Sequence, residues 1–242
     1  MTAHIFQDVQ GLNTQLATDI RTVYEKLLES GQLRLTLALS GGNSPGSLLN
    51  ELVRKHQQSD IWKHLDVYWV DERFVPHADP ESNFGNAYPL LKALGIRDEC
   101  LHPMVYGSSV SKSAEAYHNL IASLSNARSH NPALFDLTLL GIGPDGHVAS
   151  LFPGSNHLED KKFCKATQRP ESGQDRVSLT LAALNRSQHC IYLAYGTGKT
   201  EIVSQVYGQP ADERYPASLV RPLSESLWYM DQTAASQLSL KA

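Results

Sequence analysis

His147 stands in the stretch LLGIGPDGHVASLFPG, residues 139–154, where Gly141, Gly143, Pro144, Asp145 and Gly146 crowd behind an apolar run. A neutral imidazole can take a proton from water. A carboxylate two residues before it, Asp145, can orient the ring or cap a following helix. The glycine spacing also fits G-x-G-x-x-G, the pattern of a dinucleotide-binding loop. That pattern needs Gly146 to open a long helix, with an acid-ended strand about 20 residues on. Here Pro153 and Gly154 interrupt within seven residues of His147, and the stretch lies past the middle of the chain. Pro144-Asp145-Gly146 reads instead as a turn. It sets His147 near the start of a short helix over HVASLF, whose N-terminal potential would keep the imidazole neutral. On these residues alone, a capped helix with an incidental histidine remains an alternative.

Three other stretches hold groups suited to an anion. In LSGGNSPGS (39–47), Ser40, Gly41 and Gly42 lie between an apolar run and a helical pattern. Paired glycines let backbone N–H groups approach an anion closely, and the next helix adds positive potential. Ser44 is expected as the cap of that helix and Pro45 as its first residue. A tight turn that uses glycine for geometry alone explains the same residues. In VDERFVPHADPESNFGNAY (70–88), Arg73 follows two acids at a strand end. It is either part of a surface ion pair or a clamp for phosphate or carboxylate. Ser82 and Asn83 suit sugar hydroxyls, or equally a turn and a helix cap. Arg176 in DRVSLTL (175–181) and Lys199 in YGTGKT (195–200) are candidate cations or ordinary surface residues. YGTGKT is not read as a P-loop, because Leu193 stands where the first glycine belongs.

Metal and nucleophile readings are weaker. The ten histidines include no H-E-x-x-H and no Cys/His cluster at ligand spacing. No nucleophile elbow of the G-x-S-x-G type is expected, Ser40 lying between Leu39 and two glycines. A hydrolase built from these residues is expected to activate water directly.

Such residues need a frame that converges them. Leu12, Leu16, Ile20, Val23 and Leu27 recur at helical spacing, and Gly31 closes the pattern. Strands are expected at 33–39, 65–70, 134–142, 176–181, 190–195 and 226–230, with helices at 47–56, 113–124, 199–207 and 231–238. The alternation predicts an α/β fold, with a mainly parallel sheet covered by helices on both faces. Ligands then sit beyond the carboxyl ends of the strands, where most of the candidate residues fall. No repeat or linker divides the chain, so residues 1–242 are expected to form one domain.

The formal net charge of −4, with no Lys/Arg block, argues against nucleic acid as a partner. No apolar run approaches a membrane span, and no signal peptide is read at the N-terminus. The three cysteines, Cys100, Cys164 and Cys190, are odd in number and widely spaced, as expected of reduced thiols in the cytoplasm.

Taken in order, LALSGGNSP, DERFVP…SNFGNAY, LLGIGPDGHVASLFPG, RVSLTLAALN, GTGK and PASLVRP resemble the 6-phosphogluconolactonase family over nearly the whole chain. GPDGHVASLFPG is the most specific of these. The resemblance implies a three-layer α/β/α Rossmann-like fold, shared with glucosamine-6-phosphate deaminase and ribose-5-phosphate isomerase. It also implies a cytosolic enzyme, a monomer or small homo-oligomer, that hydrolyses 6-phospho-D-glucono-1,5-lactone in the oxidative pentose phosphate pathway, with no cofactor or metal expected for catalysis. Carried over, His147 is the general base, and Asp145 orients it or holds a sugar hydroxyl. Ser40, Gly41, Gly42 and Asn83 fall in the ligand loops, and Arg73, Arg176 and Lys199 are the phosphate cations. Asn43 and Val148 depart from the usual family residues without removing any of these groups. Two alternatives are weighed. A deaminase/isomerase would carry an acid where Phe152 stands, and a noncatalytic sugar-phosphate sensor would usually carry a DNA-binding module.

Overall fold

A computed structural model describes residues 1–128, 130–155 and 158–238. Seven parallel strands form the central sheet: β1 (Thr2–Phe6), β2 (Leu35–Leu39), β3 (Leu65–Trp69), β5 (Leu101–His102), β6 (Phe135–Gly141), β9 (Ser187–Ala194) and β10 (Glu225–Asp231). Their spatial order is β1-β10-β9-β6-β2-β3-β5, and every pairing is parallel. From β2 the chain winds outward one way to β3 and β5. From β6 it winds the other way to β9 and β10, so the switch point lies between β2 and β6. Parallel strands covered on both faces must be apolar throughout, and all five residues of β2 are buried. Helix α1 (Val9–Glu29) turns Leu12, Leu16, Ile20 and Tyr24 inward at spacings of four. Helices α2 (Asn43–His56), α3 (Asn83–Ala93) and α4 (Val110–Ala127) complete the larger packing elements, with Trp62, Trp69, Trp228 and Phe135 filling the interior.

Four expectations are corrected. The segment 176–181 does not join the parallel sheet. Strand β8 (Asp175–Leu179) lies in a separate antiparallel sheet between β4 (Asp71–Arg73) and β7 (Cys164–Gln168). HVASLF is a turn rather than a helix. Val148 and Leu151 form a bridge and Ala149 adopts φ 51°. Ser150 is drawn out of helical geometry, its N–H donating to Ser178 Oγ at 3.1 Å and its hydroxyl to Asp71 Oδ2 at 2.7 Å. Helix α2 begins at Asn43 after Gly42, with no side-chain cap, so Pro45 is its third residue and Ser44 is inside it. Proline is tolerated there because first-turn N–H groups have no partner within the helix. Finally, no helix forms over 231–238: Asp231 ends β10 and residues 232–237 form successive turns. The Asp231 carboxylate accepts from Ala234 N and Gly196 N, an arrangement that competes with helix formation.

Several elements went unread in sequence, among them β1, α3, the short strands β4 and β5, β7 and the single-turn α5 (Leu181–Leu184). Edge strand β1, TAHIF, is only five residues long and holds no apolar run longer than two residues, so no buried-strand signal marks it. Helix α3 starts inside a segment read as loop, where Ser82 takes the cap role, accepting from Gly85 N at 3.0 Å. Helix α6 (Thr200–Val206) follows β9.

Candidate active site

A cleft of about 460 Å³ opens at the carboxyl ends of β2, β3, β6 and β9, on the switch point between β2 and β6. Ser40, Gly41, Gly42, Arg73, Asn83, His147, Arg176 and Lys199 all line it. Asp145 joins them through its contact with His147.

The floor is the loop after β6. Gly143 O accepts from Gly146 N at 3.0 Å, closing a turn with Pro144 and Asp145 in the middle and Gly146 at φ 84°. Gly143 N then donates to His147 O at 2.9 Å. This short loop carries His147 into the cleft. Asp145 Oδ1 lies 2.6 Å from His147 Nδ1 and also accepts His147 N at 3.2 Å. A carboxylate at Nδ1 makes that nitrogen the donor, which leaves the Nε2 lone pair to accept a proton. The tautomer is therefore set by Asp145 and not by a helix terminus. Phe152 packs on the other side of the imidazole, with ring centroids 5.0 Å apart.

The second wall comes from the small antiparallel sheet. Arg73 of β4 pairs directly with Arg176 of β8. Like charges facing each other across a ladder are destabilising, a cost that an anion bound between or above them would offset. Arg73 Nη1 donates to Glu81 O, and Arg176 Nη2 to Gln174 Oε1 at 2.9 Å, while the Nε of each is buried without a partner. Asp71, buried in the cleft wall, stands 3.6 Å from Arg176. Burial pushes the Arg176 guanidinium below its ordinary value, Asp71 raises it, and Arg73 and Arg169 lower it further.

The β2 loop and α3 meet at the same place. The amide of Asn83 donates to Asp71 O at 2.9 Å, and its Oδ1 is buried without a partner. A Cβ on Gly41 would lie 1.8 Å from that oxygen, so only glycine fits there. Ser40 Oγ accepts from Gly141 N at 3.3 Å, tying the ends of β2 and β6 together. Lys199 donates to Ile142 O, and burial lowers its ammonium below the usual value while Asp145 raises it. An ammonium has three donors, so two remain for an anion.

Several participants escaped sequence reasoning. Asp71, Arg169 and Tyr195 line the cleft, yet Arg169 sits in a hairpin whose first strand, β7, was not expected. Glu72 is fully buried and accepts from Arg73 N, Asn83 N and Phe84 N at 2.7–2.8 Å, holding α3 against β4. Burial raises its carboxyl above the ordinary value, and those N–H groups pull it back. No local pattern announces bonds across eleven and twelve residues. Ser44 also has a reading beyond the helix cap. The expectation of no nucleophile elbow is corrected, because Gly42-Asn43-Ser44-Pro45-Gly46 has the G-x-S-x-G spacing, and Ser44 lines the cleft. Among the described residues no hydrogen bond joins its hydroxyl to His147, the contact that would activate it.

Among the described residues, no group of three or more His, Cys, Asp or Glu side chains is arranged to hold a metal ion. Cys100, Cys164 and Cys190 are buried and unpaired, and no helix among the described residues is long and apolar enough to cross a membrane.

Fold and site together define a doubly wound α/β enzyme with a histidine–carboxylate pair and an arginine-lined wall in one cleft. The chain belongs to the family of glucosamine-6-phosphate isomerases/6-phosphogluconolactonase, whose model matches residues 7–229. It is 34% identical over 208 residues to a 6-phosphogluconolactonase of Synechocystis sp., covering 84% of each chain. Among solved structures it is similar to the devB protein, at 33% identity and a TM-score of 0.88, covering 98% of this chain and 99% of that one. It is also similar to a 6-phosphogluconolactonase from Thermotoga maritima, at 28% identity and a TM-score of 0.81, covering 95% and 99%.

Proposed function

We propose that this protein hydrolyses 6-phospho-D-glucono-1,5-lactone to 6-phospho-D-gluconate, the lactone step of the oxidative pentose phosphate pathway. Family membership and relatives named for this activity support the enzyme class. The observation that carries the chemistry is His147, with Asp145 on Nδ1 and Nε2 left for a proton, in the same cleft as the facing Arg73–Arg176 pair.

The substrate's phosphate meets Arg73 and Arg176, with Arg169 and Lys199 adding positive charge. Binding this remote group places the lactone carbonyl and contributes orientation to the chemical step. His147 Nε2 takes a proton from water as the water oxygen bonds to C1. Backbone N–H groups of the Gly41–Gly42 loop face the oxyanion that forms. As the intermediate collapses, the bond from C1 to the ring oxygen breaks. The imidazolium returns its proton to that oxygen, and Asp145 stabilises the imidazolium meanwhile. A lactone is an activated ester, so a positioned general base worth about 10²–10⁴-fold suffices without a covalent intermediate. Where a deaminase would place an acid, Phe152 packs against the imidazole instead. On this reading the protein works in the cytoplasm as a monomer or small homo-oligomer.

The test is lactone opening by the purified protein, with the spontaneous rate subtracted. Catalysis above that rate is expected; a rate equal to the spontaneous one overturns the assignment.

A further inference from the structure

The PASLVRP stretch (216–222) follows Tyr215 and has no role in the chemistry above. The structure gives it a neighbour. A Cβ on Gly146 would lie 2.7 Å from Tyr215 Cδ1 and 3.0 Å from both Tyr215 Cα and Cβ. Gly146 is thus pressed against the backbone and ring edge of Tyr215, a contact only glycine permits. Two residues on, Ala217 N donates to Gly146 O at 2.9 Å. The turn that carries Asp145 and His147 is therefore held from behind at its last residue, by both packing and a hydrogen bond.

The holding segment is itself anchored. The hydroxyl of Tyr192, buried on β9, donates to Ala217 O at 2.8 Å. Ser218, also buried, donates through its N–H to Tyr215 O at 2.7 Å. Its hydroxyl bridges Asp212, donating to the carbonyl and accepting from the N–H. Arg214 pairs with Asp212 and lies over the Tyr215 ring, 5.6 Å from its centroid. A rigid strand thus supports a compact loop, and the loop supports the turn. His147 and Asp145 flank Gly146 in this turn, with Nδ1 and Oδ1 2.6 Å apart. A pair that close loses its alignment if the peptide between its members rotates.

We propose that Tyr215 is a positioning residue for His147, with the 212–218 segment bracing the Asp145-Gly146-His147 peptide in the orientation that aims Nε2 at the attacking water. The inference rests on the lactonase reading for its kinetic test, and on the ring environment of His147 for an independent one. Tyr215→Ala removes the ring edge from Gly146. This variant is expected to turn over about 10- to 100-fold more slowly, the scale of a displacement of up to about 1 Å, with KM within threefold because the arginine wall is untouched. Tyr215→Phe keeps the ring and is expected to retain wild-type kcat.

In parallel, the Cε1–H resonance of His147, assigned by its loss in His147→Ala, is followed by NMR in the full chain. It is expected to shift or broaden in Tyr215→Ala and to match wild type in Tyr215→Phe. If wild type shows no lactonase activity, the functional reading fails and the resonance alone decides this proposal. An unchanged resonance in Tyr215→Ala overturns it, as does a lowered melting temperature with unchanged kcat per folded molecule.

Discussion

Gly143→Ala isolates the geometry of the histidine–aspartate pair. Gly143 lies outside the positive-φ glycines, so alanine fits its backbone without conformational strain. The added methyl would lie 2.1 Å from His147 Nδ1, 2.2 Å from Cε1 and 2.5 Å from Asp145 Oδ1. Carbon contacts are comfortable only from about 3.5 Å, so ring and carboxylate must both retreat by about 1 Å. A misplacement of that size costs about 10²-fold in rate, or about 2.7 kcal/mol in the barrier. The methyl touches none of the guanidiniums. In a continuous assay of acid release on lactone opening, kcat is expected to drop about 100-fold with KM within about threefold. A kcat within threefold of wild type would refute the reasoning, because the methyl cannot occupy that space with the imidazole in place. A raised KM at unchanged kcat would refute it too, by assigning the loop to binding.

Other predictions follow from the same geometry. Arg176→Ala should raise KM tenfold or more, with a smaller change in kcat, and weaken inhibition by inorganic phosphate; initial-rate kinetics separate the two. Burial lowers the Lys199 ammonium, so its charge is lost below the pH at which a free lysine titrates. Phosphate affinity should therefore fall as pH rises through that lowered value, and binding there should take up protons, measurable by calorimetry in two buffers of different ionisation heat. Ser44→Ala should keep kcat within about threefold; a loss of 10³-fold would point to a covalent acyl-enzyme instead of direct attack by water.

Elements with a strong period were legible: the stripe Leu12-Leu16-Ile20 and the apolar runs of β2, β6 and β9 have one reading each. The candidate residues converge because most follow a strand carboxyl end, which alternation alone predicts. What was not legible depends on distant partners. HVASLF has helical composition, but bonds from Ser150 to Asp71 and Ser178, 79 and 28 residues away, bend it into a turn. Strand β8 looks like any buried strand, and nothing local says that its neighbours are β4 and β7. Tyr215 reads as an ordinary loop aromatic until Gly146 is placed against it. Asp145, whose cap and orienting roles both fitted the letters, has its role narrowed by one 2.6 Å contact.

The central claim is that His147 moves the proton. His147→Ala, assayed for lactone opening over the spontaneous rate beside wild type, measures this directly. The account predicts that turnover slows by a factor of about 10² or more, with KM and melting temperature near wild type. A variant that keeps wild-type turnover, or loses only affinity, would contradict it.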